Sequence, residues 1–323
     1  STRAVCQRRT MSGVTSVVNP STHKGGTLTF DWRAAPDSFD PGNTYYAAVW
    51  NFARFYSTAL MTFKNCPGAC GKTLVPALAT APGVASDNGL TWTYHIKPGV
   101  KYQDGTAVTT KDVKYAIERT FDRGVLSNGP NYFTNLLGGN AKTYPGPYKD
   151  RAKNLMGLTA IDTPDATTIV FHLKAPFSDM DYLLTIPQSA PVPPDKDTGA
   201  SYQTHIVSTG PYKFQSYALN KTATLVPNTQ WNASMFPTVS QLPSKIVVNM
   251  NMNPNDVDNR LLAGDAQVDF AGTGVQAAAR AKILSNPSLK ANADDPLTGF
   301  GWFFYIDSQV PPFTNVACRQ AIE

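Results

Sequence analysis

The chain has few glutamates, few histidines and no long apolar run. Only Glu118 and Glu323 are glutamates among 23 acidic residues, so the polar surface relies on Asp, Asn, Ser and Thr, which favour turns and strands over long exposed helices. No stretch approaches the roughly 18 apolar residues that cross a bilayer. Residues 1–24 lack the apolar core of a signal peptide, and we expect them to form a disordered tether or to be an artificial remnant.

The charge is mild and scattered. A net charge of +5 over 323 residues, with no basic run, argues against a nucleic-acid partner. At 42% apolar residues the chain can bury a large core, and its length favours two lobes or domains. Composition therefore predicts a soluble globular protein.

Motifs for catalysis, nucleotides and metals are missing or incomplete. The sequence contains no GxSxG, no HExxH and no local cluster of His with Asp or Glu, so we predict no enzyme, no catalytic residue and no cofactor. Gly71-Lys72-Thr73 resembles a phosphate loop, but Cys66 stands where the first glycine belongs. The 253–258 segment resembles a calcium loop without its downstream Glu, which predicts a helix cap and no metal site.

The four cysteines leave several interpretations open. Cys66 and Cys70 bracket a tight loop that a disulfide could close, which would imply an oxidising compartment. A zinc site would need a second ligand pair, and none lies nearby. Cys6 could carry a lipid anchor, although Arg3-Ala4-Val5 is a poor lipobox, or it could be a free or artificial cysteine. Cys318 has no assigned role.

The segment 88–121 gives the clearest local structure. Its first half alternates apolar and polar residues, which predicts a strand, and two turns follow. Thr109 and Asp112 then resemble a capping box at the start of a helix. The buried stripe of that helix is predicted to contain Val113, Ala116, Ile117 and Phe121.

The remaining chain alternates between predicted strands and helices. Strands are expected at 26–30 and 245–250, and helical spacing appears in 43–61. Helices are also expected at 177–186 and at 256–263, the latter ending at Gly264.

Nine motifs in this order resemble the peptide- and nickel-binding class of extracytoplasmic solute-binding proteins that serve ABC importers. The resemblance covers residues 25–323. The motifs are GGTL at 25–28, DSFDP at 37–41, LVPALA at 74–79, the block 88–121, TIVFHLKAPF at 168–177, STGPY at 208–212, PNTQW at 227–231, LLAGDAQVDF at 261–270 and PPFTNVACRQAIE at 311–323.

The resemblance implies an α/β, periplasmic-binding-protein-like (Venus flytrap) fold with a mixed sheet and an accessory α/β subdomain. Residues 25–58 and 190–304 would form the first lobe, and 59–189 the accessory subdomain. Residues 305–323 would begin a second lobe that this chain mostly lacks. Family ligands bind between the lobes, so we expect the chain to hold half of the site.

The resemblance also implies a function and a set of ligand-binding residues. The protein would bind oligopeptides and deliver them to an ABC membrane permease, as a monomer that is periplasmic or tethered outside the cytoplasmic membrane. A dipeptide, oligosaccharide or nickel-chelate binder, a signalling role and an unrecognised peptide hydrolase stay open. The residues expected to contact ligand are Asn43, Thr44, Tyr45, Tyr46, Tyr132, Gly272, Thr273, Trp302 and Phe304.

Overall fold

The protein is a mixed α/β structure. A computed structural model describes residues 22–66, 68–150, 157–293 and 305–322. The helices in these ranges are α1 (Ala47–Ala53), α2 (Thr110–Arg119), α3 (Tyr132–Leu136), α4 (Met180–Leu183), α5 (Pro254–Ala263), α6 (Ala277–Ser285), α7 (Pro287–Lys290) and α8 (Val316–Gln320). The strands are β1 (Thr27–Asp31), β2 (Met61–Phe63), β3 (Leu74–Pro76), β4 (Val84–Ser86), β5 (Thr91–His95), β6 (Ile161–Asp162), β7 (Thr168–His172), β8 (Tyr212–Ala218), β9 (Thr222–Pro227), β10 (Lys245–Asn249) and β11 (Val268–Asp269).

A five-stranded mixed sheet has the order β11-β1-β10-β9-β8. Strand β1 pairs in parallel with β10, from Thr27 opposite Lys245 to Asp31 opposite Asn249, and also in parallel with β11. Strand β9 pairs antiparallel with both β10 and β8. The carboxyl ends of β1, β10 and β11 therefore meet at one edge of the sheet.

A second, four-stranded sheet has the order β4-β5-β7-β6, and β2 and β3 form a separate antiparallel pair. In β5, Trp92 and Tyr94 are buried while Thr91, Thr93 and His95 are not, so the predicted alternation is confirmed. Each of the two larger sheets has its own cluster of buried apolar side chains. The expected subdomain boundaries at residues 58/59 and 189/190 stay a prediction.

Local capping signals were predicted correctly. The Thr109 amide donates to the Asp112 carboxylate at 2.9 Å, which closes a capping box at the start of α2. The Asn253 side chain accepts from the Asn255 amide at 2.8 Å and caps α5. That helix ends at Gly264, whose φ of 82° is in the left-handed region that glycine adopts without strain.

Two expected helices are shorter than their apolar patterns. Only Ala47–Ala53 of the 43–61 segment is helical, and the helix begins after Tyr46, which is extended with φ −93° and ψ 122°. Only Met180–Leu183 of the 177–186 segment is helical, since Ile186 precedes Pro187 and adopts the extended conformation that this position favours. Phe121 likewise lies beyond the end of α2, although it still packs on the core.

Candidate ligand-binding face

The candidate site lies where β1 and β11 end. Trp32 follows β1 and Phe270 follows β11, and their rings stack with centroids 4.4 Å apart. Tyr46 meets Trp32 edge-on at 6.5 Å. In open α/β sheets, ligands bind in the crevice outside the carboxyl ends of parallel strands.

Three exposed tyrosines lie beside this edge. Tyr45, Tyr46 and Tyr132 expose 54%, 49% and 39% of their surface. The hydroxyls of Tyr45 and Tyr132 lie 2.6 Å apart, and their hydrogen bond is the main cause that raises the pKa of Tyr132 to about 12. We call Tyr45, Tyr46 and Tyr132 the tyrosine face. Its rings offer apolar contact, and its hydroxyls offer hydrogen bonds, to a molecule that covers it.

Asn43 and Thr44 are buried, and their side chains bond within the protein. The Asn43 side-chain oxygen accepts from the Asn128 amide at 2.8 Å, and the Thr44 hydroxyl donates to Asp37 at 2.6 Å. Asp37 also accepts from the Tyr45 amide at 2.7 Å. These bonds fix the chain up to Tyr45, and Tyr46 after it is extended. Ligand contact by Asn43 or Thr44 stays a prediction.

A buried arginine fixes the turn that precedes the tyrosine face. Arg119 donates to both oxygens of Asp40 at 3.0 and 2.6 Å and to Asp197 at 3.0 Å. Its guanidinium also lies 4.8 Å from the centre of the Tyr202 ring. Burial alone would lower the pKa of Arg119, but Asp40 and Asp197 outweigh it and raise the pKa well above its usual value. Asp40 in turn accepts from the Gly42 amide at 2.9 Å.

Sequence reasoning missed Arg119, because it lies off the predicted apolar stripe of α2. Arg119 comes six residues after Val113 and two after Ile117, which at 3.6 residues per turn places it on another side of the helix. A charged residue at such a position needs a partner once it is buried, and the chain supplies Asp40 and Asp197.

Gly272 and Thr273 lie in an exposed loop after β11. Gly272 has φ 63°, which favours glycine. The Thr273 hydroxyl donates to Asp269 at 3.3 Å. Arg33 donates to the Gly274 carbonyl at 2.7 Å and pairs with Asp258 at 2.6 Å, which ties the loop to α5.

The structure brings some predicted site residues together and leaves others untested. Tyr45, Tyr46 and Tyr132 share one surface, and Gly272 follows Phe270, which stacks on Trp32 beside Tyr46. Trp302 and Phe304 lie outside the described residues.

The segment between β2 and β3 is closed by a disulfide. Cys66 and Cys70 are bonded, with their Cα atoms 5.6 Å apart, as the sequence predicted. Gly71 and Lys72 belong to a short 3-10 helix, Gly68–Lys72, and strand β3 follows, so the long helix that a phosphate loop opens is not there. Cys318 is a half-buried free cysteine, and Cys6 lies outside the described residues.

Neither a metal centre nor a membrane span was found in the described part of the chain. Residues 22–66, 68–150, 157–293 and 305–322 hold no group of three or more His, Cys, Asp or Glu side chains suited to a metal ion. In the same ranges, every helix is too short or too polar to cross a bilayer.

Comparison with known proteins identifies a family. The model of bacterial extracellular solute-binding proteins, family 5, matches residues 73–323. The probable D,D-dipeptide-binding periplasmic protein DdpA of Escherichia coli K12 is 23% identical, over 90% of this chain and 51% of its own length. The chain thus spans about half the length of this curated relative.

Solved structures share the fold. The structure of clavulanic acid biosynthesis oligopeptide binding protein 2 aligns with a TM-score of 0.89 and 38% identity, over 96% of this chain and 55% of that one. Haemophilus influenzae OppA, in complex with RPPGFSPFR, aligns with a TM-score of 0.67 and 20% identity, over 94% of this chain and 56% of that one. The expected periplasmic-binding-protein-like fold is confirmed.

Proposed function

The chain belongs to family 5 of the bacterial extracellular solute-binding proteins, and from that premise we propose that it is the binding component of an ABC importer for oligopeptides. The observation that carries this proposal is the tyrosine face at the carboxyl ends of β1 and β11. One of the similar solved structures is described as an oligopeptide binding protein, and another holds a peptide.

The tyrosine face suits an extended peptide. A peptide backbone carries a donor and an acceptor at each residue, and the Tyr45 and Tyr132 hydroxyls supply both functions. The exposed loop at Gly272 and Thr273 would border the same peptide. Trp302 and Phe304 remain proposed ligand contacts, as do Asn43 and Thr44.

We also propose that the protein binds the peptide without any chemical reaction on it. The peptide would leave intact, pass to a membrane permease and meet the protein outside the cytoplasm, where the Cys66–Cys70 disulfide can persist. We further propose that the protein acts as a monomer, either periplasmic or tethered to the outer face of the cytoplasmic membrane by a lipid anchor.

Calorimetric titration of the natural protein with short oligopeptides tests the proposal. We expect binding, with the peptide recovered uncleaved. Tyr45→Phe should weaken the Kd about fivefold, because one hydrogen bond contributes about 1 kcal/mol. Tyr182→Phe is the matched control, since Tyr182 is equally exposed but lies on α4.

Three results would count against the proposal. Cleaved peptide would indicate a hydrolase. The absence of any peptide binding would remove the transport role. If Tyr45→Phe and Tyr182→Phe bind peptide with equal affinity, the binding site does not include the tyrosine face.

A further inference from the structure

A cavity of about 650 Å³ opens beside α1. Its walls are the outer side of α1, the β2–β3 pair, and the segment 235–240 that precedes β10. This volume is in the range of small-molecule sites. Five aromatic side chains line it: Trp50, Phe55, Phe63, Trp231 and Phe236.

The charged groups of the cavity all have one sign. Arg54 and Lys97 line it, whereas Asp and Glu are absent from its described lining. Lys97 donates to the carbonyls of Ala77 and Met235 at 2.6 and 2.9 Å, and its ammonium lies 4.9 Å from the centre of the Phe236 ring. No acidic side chain of the described lining pairs with Lys97, and burial lowers the pKa of its ammonium.

Arg54 adds a second cation without an acidic partner. Across the described residues no carboxylate lies within 4.0 Å of its guanidinium, in contrast to Arg33, Arg119 and Arg260, which all pair with aspartate. Arg54 is exposed at the mouth of the cavity, at the end of α1. A planar guanidinium that is exposed and has no acidic partner can bind a carboxylate through two parallel hydrogen bonds.

We propose that this cavity is a second ligand site, for a small carboxylate with an apolar body. The body packs among the aromatic walls, and the carboxylate lies between Arg54 and Lys97. Anions are favoured, because the two cations face no acid that would neutralise them. Cationic ligands are disfavoured for the same reason.

The ligand's carboxylate can come from a free acid or from the carboxyl terminus of an apolar peptide. Trp50 lines the cavity, and its ring centre lies 5.6 Å from that of Tyr45, so the cavity adjoins the tyrosine face. The inference needs only the shared chemistry, an apolar carboxylate, and it does not depend on peptide transport.

The experiment is a calorimetric titration of the full chain and of its Arg54→Gln variant. The probes are octanoate, octanol, and an acetylated Leu-Phe dipeptide with either a free or an amidated carboxyl terminus. Octanol and the amide keep the apolar body and lack the charge. Arg54→Gln is expected to keep the fold, since Arg54 is exposed and forms no ion pair among the described residues. Lys111→Gln removes an exposed cation outside the cavity and is the matched control.

We expect at least one carboxylate probe to bind more tightly than its uncharged counterpart. Arg54→Gln should weaken that binding about tenfold, and Lys111→Gln should leave it unchanged. If octanoate binding depends on Arg54, the natural ligand is a free acid. If only binding of the dipeptide with a free carboxyl terminus depends on Arg54, the ligand is the carboxyl terminus of a peptide. The inference is overturned if neither carboxylate binds, if octanol and the amide bind as tightly, or if Arg54→Gln binds like the Lys111→Gln control.

Discussion

Replacement of Arg119 by Met should be the most destabilising single change near the candidate site. Arg119 is fully buried and bonds to both Asp40 and Asp197, so the variant leaves two carboxylates without a cation. Removal of one partner from a buried ion pair costs about 3 to 5 kcal/mol, and two stranded carboxylates favour the upper figure. Total stability of a domain is about 5 to 15 kcal/mol, so much of it would be lost.

Urea denaturation followed by circular dichroism measures this loss, because urea does not screen ion pairs as guanidinium would. Lys196→Met is the matched control, since Lys196 pairs with Asp195 at 3.8 Å and the two side chains are 51% and 76% exposed. That exposed pair should contribute at most about 1 kcal/mol.

The triple variant Arg119→Met, Asp40→Asn, Asp197→Asn tests whether the stranded carboxylates cause the loss of stability. If stranded charge causes it, neutralising both carboxylates should restore more than about 1 kcal/mol relative to Arg119→Met. The reasoning is refuted if Arg119→Met loses no more stability than Lys196→Met, or if the triple variant is no more stable than the single one.

Three further predictions concern other parts of the fold. Burial raises the pKa of Glu118 from 4.5 to about 7, so the folded state binds this proton more tightly than the unfolded state does. The free energy of unfolding should therefore fall by about 3 kcal/mol as the pH rises from 4.5 to about 7. Glu118→Gln should remove this part of the pH dependence of urea unfolding, and an unchanged slope would contradict it. The double variant Cys66→Ser, Cys70→Ser should lower the free energy of unfolding by about 2 kcal/mol, because the disulfide restricts the entropy of the unfolded chain over this short loop. Equal stability of the variant and the original protein would contradict that cause. Asn253→Ala should cost about 1 kcal/mol through the lost cap of α5, whereas exposed Asn292→Ala should cost less; equal losses would show that the cap contributes nothing.

Elements whose causes are local could be predicted from the sequence. The alternation in β5 and the capping box of α2 depend on residues only a few positions apart. The lengths of α1 and α4 could not be predicted in this way. Asp37 bonds to Thr44 and Tyr45 just before α1, and Pro187 constrains the end of the segment that contains α4.

Contacts between residues far apart in the chain could not be predicted from local sequence patterns. Arg119 lies 79 residues from Asp40 and 78 from Asp197, and no periodicity in either segment indicates that they meet. The hydroxyl pair of Tyr45 and Tyr132 joins residues 87 apart, and both were proposed only from the family resemblance. The cavity beside α1 is built from several separate segments, so no single stretch of sequence could indicate it.

The parallel pairing of β1 also has a consequence for synthesis. The Asp31 and Asn249 side chains bond across 218 residues, so β1 has to wait for β10 to be synthesised. At roughly 5 to 20 residues per second, that delay is about 10 to 40 s. Strands β4, β5, β6 and β7 all lie between Val84 and His172, and their sheet can form earlier. The candidate ligand-binding edge would then be completed after the four-stranded sheet has formed.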